Sequence, residues 1–280
     1  MIDYYLITKP GIIMGNLVTF AAGFLLASRG HFDIQLFMIT LVALGLIIAS
    51  ACVFNNYIDR FSDQKMERTK KRALAEGKIK ERDALIFAIV LAAAGNVVLF
   101  EYTNLLTLAI ANVGFGVYVL IYSFIKRKTV HSTLIGSISG AVPPVVGYCA
   151  VSGRVDIAAV ILFLVMIFWQ MPHFFAIALW HCDDYAKAGI PVLPVSHGVL
   201  TTKIQMALYI VGLIPLLGLF TWFGYTGNLF LLATLALGLV WLCYGLWGFN
   251  TDSNVHWGKQ MFRLSLAMIN VVCLMIFLNF

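Results

Sequence analysis

The sequence predicts an all-α fold, a polytopic membrane protein built as a nine-transmembrane-helix bundle with its N-terminus cytoplasmic and its C-terminus outside. Three observations predict it. Of 280 residues, 61% are hydrophobic and only 11% charged, against roughly 45–50% and 25% in a soluble globular domain. The apolar residues gather into nine long runs. When those runs are threaded alternately across a bilayer, nearly all Lys and Arg fall on one side. The composition excludes a disordered chain, a collagen, a disulfide scaffold and a water-soluble enzyme core. Nine spans of ~20 residues take about 180, leaving roughly 100 for loops.

The first run, Gly11–Ser28, ends at a polar connector, Arg29–Asp33, and the second is Ile34–Tyr57. The third and fourth, Ala84–Phe100 and Leu105–Phe124, are joined tightly through Glu101–Asn104. Thr133–Val151 and Ile157–Trp180 flank Ser152–Asp156; Gln205–Phe223 and Leu229–Phe249 flank Gly224–Asn228; Phe262–Asn279 is the last. Several are too long and too uniformly apolar for amphipathic surface helices. Together they read as one transmembrane unit over residues 1–280. The first ten residues carry Asp3 and Lys9 and no small-residue cleavage site, so no cleavable signal peptide is expected. Five scattered cysteines without a C-x-x-C pair argue against a disulfide framework or a structural zinc site.

With the N-terminus inside, 17 of the 19 Lys and Arg are cytoplasmic; only Arg29 and Arg154 are outside. One missed span would invert every later loop. Ten of the 13 acids are also inside. The +6 charge is therefore a topology signal, and no nucleic-acid partner is expected. The partner of the apolar surface is the lipid bilayer. Two inside loops are long, Ile58–Asp83 and His181–Ile204, and long loops on one face of a bundle commonly carry chemistry.

Four clusters stand out. Asn55, Asp59 and Asp63 are spaced i, i+4, i+8, so a helix continuing through Asp63 presents all three on one face. Two carboxylates one turn apart repel, and hard oxygen donors at that spacing suit Mg²⁺, which is usually completed by substrate phosphates. Arg68 and Arg72 follow, suited to a polyanion. The same stretch also reads as a solvated mixed-charge loop. His181-Cys182-Asp183-Asp184 lies at the matching end of the sixth helix; Asp183 and Asp184 are about 100° apart on a helix, so they cannot both face one metal undistorted. They also read as a capping pair. Tyr122 and Lys126, with Arg127, can bind phosphate oxygens, or form a positive-inside anchor. Finally, Trp169-Gln170-Met171-Pro172-His173 puts a histidine ~12 Å deep. Buried His and Gln are costly in lipid and face a bundle interior or cavity. His173 reads as a packing residue, a haem-iron ligand or a proton carrier. Pro143-Pro144 in the fifth helix is a further kink or cavity site. No Walker, G-x-G-x-x-G, C-x-x-C-H or G-x-S-x-G motif is present.

These residues resemble the membrane-embedded aromatic prenyltransferase superfamily of UbiA type over nearly the whole chain. The resemblance rests on Thr8-Lys9-Pro10, Asn55-Asn56-Tyr57-Ile58-Asp59-Arg60, Tyr122-Ser123, Pro143-Pro144 and Trp169-Gln170-Met171-Pro172-His173, and on Asp184-Tyr185 with Ala188-Gly189-Ile190-Pro191-Val192-Leu193-Pro194. The last segments resemble its haem-modifying branch. The chain departs from the superfamily at Asn56, where Asp is common, and at Lys187, four residues after Asp183, where a second Asp is common.

The resemblance implies transfer of farnesyl from farnesyl diphosphate to a vinyl group of haem B, giving haem O, with Mg²⁺ as cofactor. It implies catalytic roles for Asn55, Asp59, Asp63 and Asp184, and metal ligation by those four and Asp183. Lys9, Arg68, Arg72, Tyr122, Lys126 and Arg127 are the expected diphosphate contacts; His173, Gln170 and Trp169 are the expected haem contacts. It further implies the bacterial cytoplasmic (inner) membrane, a cytoplasm-facing site and a downstream oxidase or haem A synthesis machinery as partner. The rivals are another prenyltransferase of this fold acting on 4-hydroxybenzoate or a quinone precursor, a secondary transporter, and a non-catalytic haem-handling protein.

Overall fold

The structure, a computed structural model, describes residues 2–251 and 253–278. A short helix α1 (Ile2–Ile7) is followed by α2 (Pro10–Ser28), α3 (Ile34–Asp63), α4 (Glu81–Tyr102) and α5 (Leu105–Ile125). Then come α6 (Ser132–Ser152), α7 (Ile157–Trp180), a second short helix α8 (Cys182–Lys187), α9 (Leu193–Trp222), α10 (Asn228–Asn250) and α11 (Asn254–Leu278). Among the described residues nine helices are long and apolar enough to cross a membrane, and none forms a strand. In lipid every backbone polar group must be satisfied within the segment, which helices achieve.

One side of the bundle closes its helices with side-chain caps. Asp33 accepts from the Leu36 N–H, Asn104 from Thr107, and Asp156 from Ala158 and Ala159. Each takes up an orphan N–H of a first turn.

Three helices start or end elsewhere than the apolar runs imply. Helix α3 continues to Asp63, six residues past Tyr57. Helix α9 starts at Leu193 rather than Gln205, with Pro194 in its first turn, where a missing N–H is harmless. It kinks at Gly198, whose φ of +82° suits glycine. Its polar start is invisible to an apolar-run criterion because Thr202 and Lys203 are buried polar residues. Lys203 Nζ donates to Gly248 O at 2.6 Å and lies over the Trp257 ring. Helix α11 likewise starts at Asn254, ahead of Phe262; the expected end, Asn279, lies outside the described residues.

Helix α6 packs on α2, α5 and α7, while α7 packs on α6, α9 and α11. Lipid offers no hydrophobic drive for helix association, so close van der Waals packing through small residues carries it. At the α2–α6 seam, a methyl on Gly23 would overlap the Pro144 backbone, and one on Gly147 the Phe20 carbonyl. Pro143 and Pro144 are buried inside an unbroken α6, and Pro172 is buried inside α7.

The long connector from Gln64 to Lys80 is a folded cap rather than a solvated loop. Ala73, Leu74 and Ile79 join Ile7, Val53, Ala84 and Ala88 in a small core. Gln64 Nε2 donates to Ala75 O at 2.8 Å, and Thr69 Oγ1 to Asp63 O at 3.0 Å.

Candidate active site

The extension of α3 brings Asn55, Asp59 and Asp63 onto one face at the end of the bundle where α2 begins. All three are buried, 2%, 4% and 2% exposed. Each meets a cation from a different part of the chain. Lys9 Nζ donates to Asn55 Oδ1 at 2.6 Å. Lys126 Nζ donates to Asp59 Oδ2, and Arg127 Nη2 to Asp59 Oδ1 at 3.3 Å. Arg72 Nη1 donates to Asp63 Oδ2 at 2.9 Å. Seven of the residues expected to bind metal or anion, Asn55, Asp59 and Asp63 with Lys9, Arg72, Lys126 and Arg127, therefore form one cluster.

Several features that hold it are not evident in the sequence. Lys9 sits at φ 55°, ψ 66°, a left-handed conformation that costs an L-residue about 1–2 kcal/mol. Pro10 then starts α2, so the strained residue lies between a fixed turn and its bond to Asn55. The chain before α5 ends winds as a π-helix, Val117–Tyr122, a form frequent at functional sites. Ser123 follows it, fully buried. Its Oγ accepts from Asn55 Nδ2 at 3.0 Å and donates to Tyr118 O at 2.9 Å. Tyr122 stacks on Tyr118, and Lys126 lies 5.5 Å from the Tyr122 ring centroid. Gly136 makes room for that ring. Asn56 faces elsewhere, donating to Ile7 O at 2.6 Å.

Burial lowers the Lys9 amine to about 8, with Arg72 and Lys126 adding to the effect. Burial also lowers Lys126, against the opposing pull of Asp59. The cluster thus concentrates more positive charge than its two carboxylates neutralise, and its amines are poised to gain from a polyanion.

The second acidic segment stands differently. Asp183 is exposed and Asp184 half-buried on α8. Among the described residues neither carboxylate takes part in an ion pair or joins the α3 cluster by a hydrogen bond. Arg68 connects the two loops, with Nη2 3.4 Å from Tyr185 Oη and its guanidinium over the Tyr185 ring. His181 is lowered by burial and then by Arg68, with Asp184 opposing.

Trp169, Gln170 and His173 form a separate group deeper in α7. Gln170 Nε2 donates to Ser137 O and Met166 O at 3.1 and 3.0 Å, and Gly140 leaves room for its amide. Trp169 Nε1 donates to Ser265 O at 2.7 Å, and His173 Nδ1 lies 2.7 Å from Ser265 Oγ. Nothing in the sequence marks Ser265, a lone hydroxyl between Leu264 and Leu266, as that partner.

Among the described residues no three His, Cys, Asp or Glu side chains form a ready metal cluster. What is present is two carboxylates and an amide oxygen, buried, on one face, each already accepting from a cationic group. That fits Mg²⁺, which is typically held by one or two carboxylates plus phosphate oxygens and water.

The fold and this cluster define a class. The chain matches the UbiA prenyltransferase family over residues 16–267 and belongs to it; it is a membrane prenyltransferase. Among its relatives, a protein of Protochlamydia amoebophila (strain UWE25) named protoheme IX farnesyltransferase is 53% identical, covering 99% of this chain and 98% of the relative. The fold matches that in a structural study of digeranylgeranylglyceryl phosphate synthase, with TM-score 0.82 and 18% identity over 99% of this chain and 97% of the other. It also matches a UbiA homolog from Archaeoglobus fulgidus bound to GPP and Mg²⁺, with TM-score 0.71 and 15% identity over 98% and 99%.

Proposed function

We propose that this protein transfers the farnesyl group of farnesyl diphosphate to a vinyl carbon of haem B, forming haem O, at a site facing the cytoplasm. The diphosphate half of the reading is carried by one observation: Asn55, Asp59 and Asp63 buried on one face and matched by Lys9, Lys126, Arg127 and Arg72. The acceptor half is supported by the full-length similarity to the P. amoebophila relative.

Asn55, Asp59 and Asp63 would hold Mg²⁺, with Asp183 or Asp184 supplying a further oxygen from α8; the ion would supply charge neutralisation to the leaving diphosphate. The rest falls to the chain. Lys9, Arg68, Arg72, Lys126 and Arg127, with the Tyr122 hydroxyl, bind and orient the anion. The allylic C–O bond breaks and the diphosphate keeps the electron pair. The vinyl carbon attacks the allylic carbon, forming the C–C bond. Water adds to the cation left beside the porphyrin and loses a proton, giving the hydroxyethylfarnesyl group. The folded cap over the site and the apolar helix surfaces exclude water until the C–C bond has formed. Trp169, Gln170 and His173 line the haem side. The excess of Lys and Arg in the connectors at the α3 end supports a cytoplasmic orientation in a bacterial inner membrane, and a product that passes to an oxidase or to haem A synthesis.

Purified protein supplied with farnesyl diphosphate, Mg²⁺ and haem B should yield a haem product heavier by one hydroxyfarnesyl group. Farnesylation of 4-hydroxybenzoate in place of haem would refute the acceptor, and solute flux without diphosphate release would refute the chemistry.

A further inference from the structure

The surroundings of His173 fix which of its nitrogens carries the proton. Ser265 is fully buried, and its Oγ lies 2.6 Å from Phe262 O, to which it donates. A hydroxyl has one proton. With that proton on the Phe262 carbonyl, the 2.7 Å contact between Ser265 Oγ and His173 Nδ1 requires Nδ1–H as donor. Nε2 then holds a bare lone pair. The ring is hemmed in on its faces: Trp169 stacks at 4.9 Å between centroids and 27°, and Phe262 lies at 5.0 Å and 36°. Ser265 covers the Nδ1 edge. His173 is nevertheless only half-buried, with Phe174 edge-on at 5.5 Å and 64°, so part of the ring stays open. Among the described residues no group donates to Nε2. A neutral imidazole with its N–H engaged by a fixed acceptor and its other nitrogen free is the arrangement of a histidine metal ligand.

We infer that His173 Nε2 is the axial ligand of the substrate's haem iron, and that Ser265 is a positioning residue that sets its tautomer. This rests on the haem reading above and deepens it. An iron–imidazole bond fixes both the depth of the porphyrin and one of its faces. Trp169 and Phe262 hold the imidazole plane, so they also limit rotation about that bond. Recognition would then depend on the metal as well as on the tetrapyrrole, and a phenolic acceptor would gain nothing from the site.

The test is binding of ferric haem B and of metal-free protoporphyrin IX to the detergent-purified full chain, followed by optical and electron paramagnetic resonance spectra. Wild type should bind haem at least tenfold tighter than the metal-free ring, with a histidine-ligated spectrum. His173→Ala should lose that spectrum and that preference, and added imidazole should restore the spectrum. Ser265→Ala should weaken haem binding by about 10–100-fold, the usual loss for a partner of a metal-bound histidine. Ser265→Thr, which keeps the hydroxyl, should stay within about threefold of wild type. Equal affinity of wild type for both rings overturns the inference without recourse to any variant. So does an unchanged haem spectrum in His173→Ala. If either occurs while wild type still farnesylates haem B, only the ligand assignment fails. If wild type neither binds nor farnesylates haem, the haem reading itself fails.

Discussion

Raising the pH from 7 to 9 should weaken farnesyl diphosphate binding about tenfold through one amine. Burial, reinforced by Arg72 and Lys126, lowers Lys9 to about 8. An amine with that value is about nine-tenths protonated at pH 7 and about one-tenth at pH 9. The sign follows from linkage. Between about 8 and its ordinary value of 10.5, Lys9 holds fewer protons in the folded chain than in the unfolded one. Its charged form therefore opposes folding below pH 8, and that cost is relieved as pH rises. A bound diphosphate acts oppositely: it favours the protonated amine, so affinity is full below pH 8 and falls above it. Calorimetric titration of farnesyl diphosphate in buffers of differing ionisation enthalpy measures both affinity and proton uptake. Wild type should take up a fraction of a proton near pH 8. Lys9→Met should bind more weakly at pH 7, lose the component centred near pH 8, and melt at a higher temperature because a buried charge is gone. A Lys9→Met protein that binds as tightly as wild type, with the same pH profile, would falsify the placement of Lys9 on the anion.

Three further outcomes follow from the same geometry. Asp59→Asn keeps the shape of the side chain but removes the charge facing Lys126 and Arg127; turnover should fall by about 10²–10³, worth ~3–4 kcal/mol of transition-state stabilisation, and turnover within threefold of wild type would remove Asp59 from the mechanism. Ser123→Ala leaves Asn55 Nδ2 without its 3.0 Å acceptor; the expected cost is about 1–3 kcal/mol in thermal stability, with KM for farnesyl diphosphate raised, and Ser123→Thr is the conservative comparison. Tyr148→Phe removes the 2.8 Å bond from Tyr148 Oη to the Asp156 cap, at the opposite end of the bundle from Lys9; melting should drop by the equivalent of about 1 kcal/mol while kcat stays unchanged.

The sequence made the helices and the acidic face legible for definite reasons. Span positions follow from length and apolarity, both local properties. The i, i+4, i+8 spacing of Asn55, Asp59 and Asp63 needs only a continuous helix, and α3 supplies it. What the sequence hid was pairing over long separations. That Lys9 reaches Asn55, 46 residues away, or Lys126 reaches Asp59, 67 residues away, depends on which helices are neighbours. The π-turn before Ser123 is equally invisible, because Val117–Tyr122 has no residue that demands it. The polar start of α9 was hidden by Lys203, which reads as a loop lysine until Gly248 and Trp257 are seen around it. Ser265 carries no pattern at all; its meaning comes from α7 lying against α11.

The cations on Asp59 and Asp63 have a second consequence, for the cap formed by residues 64–80. Arg72 belongs to that cap and α3 owns Asp63, so their 2.9 Å pair ties one to the other. Asp63 is 3% exposed in its side chain and Arg72 31%. A fully buried pair broken on one side costs about 3–5 kcal/mol; with Arg72 a third exposed, ~2 kcal/mol is the appropriate scale. That is about a thirtyfold rise in local opening at ~1.4 kcal/mol per tenfold. Arg72→Met should therefore expose the cap's own lysines and arginines, Lys65, Arg68, Lys70 and Lys71, to trypsin. When opening is fast relative to cleavage, the rate follows the open population, so cutting should accelerate by about that factor. Thr69 and Gln64 still hold the cap's backbone, so the rest of the bundle should keep its melting profile. Farnesyl diphosphate, bound through the same arginine, should protect the wild type and fail to protect Arg72→Met. Equal trypsin rates for the two proteins would mean that the apolar core of Ala73, Leu74 and Ile79 alone keeps the cap closed, and that Arg72 serves the anion without serving as a latch.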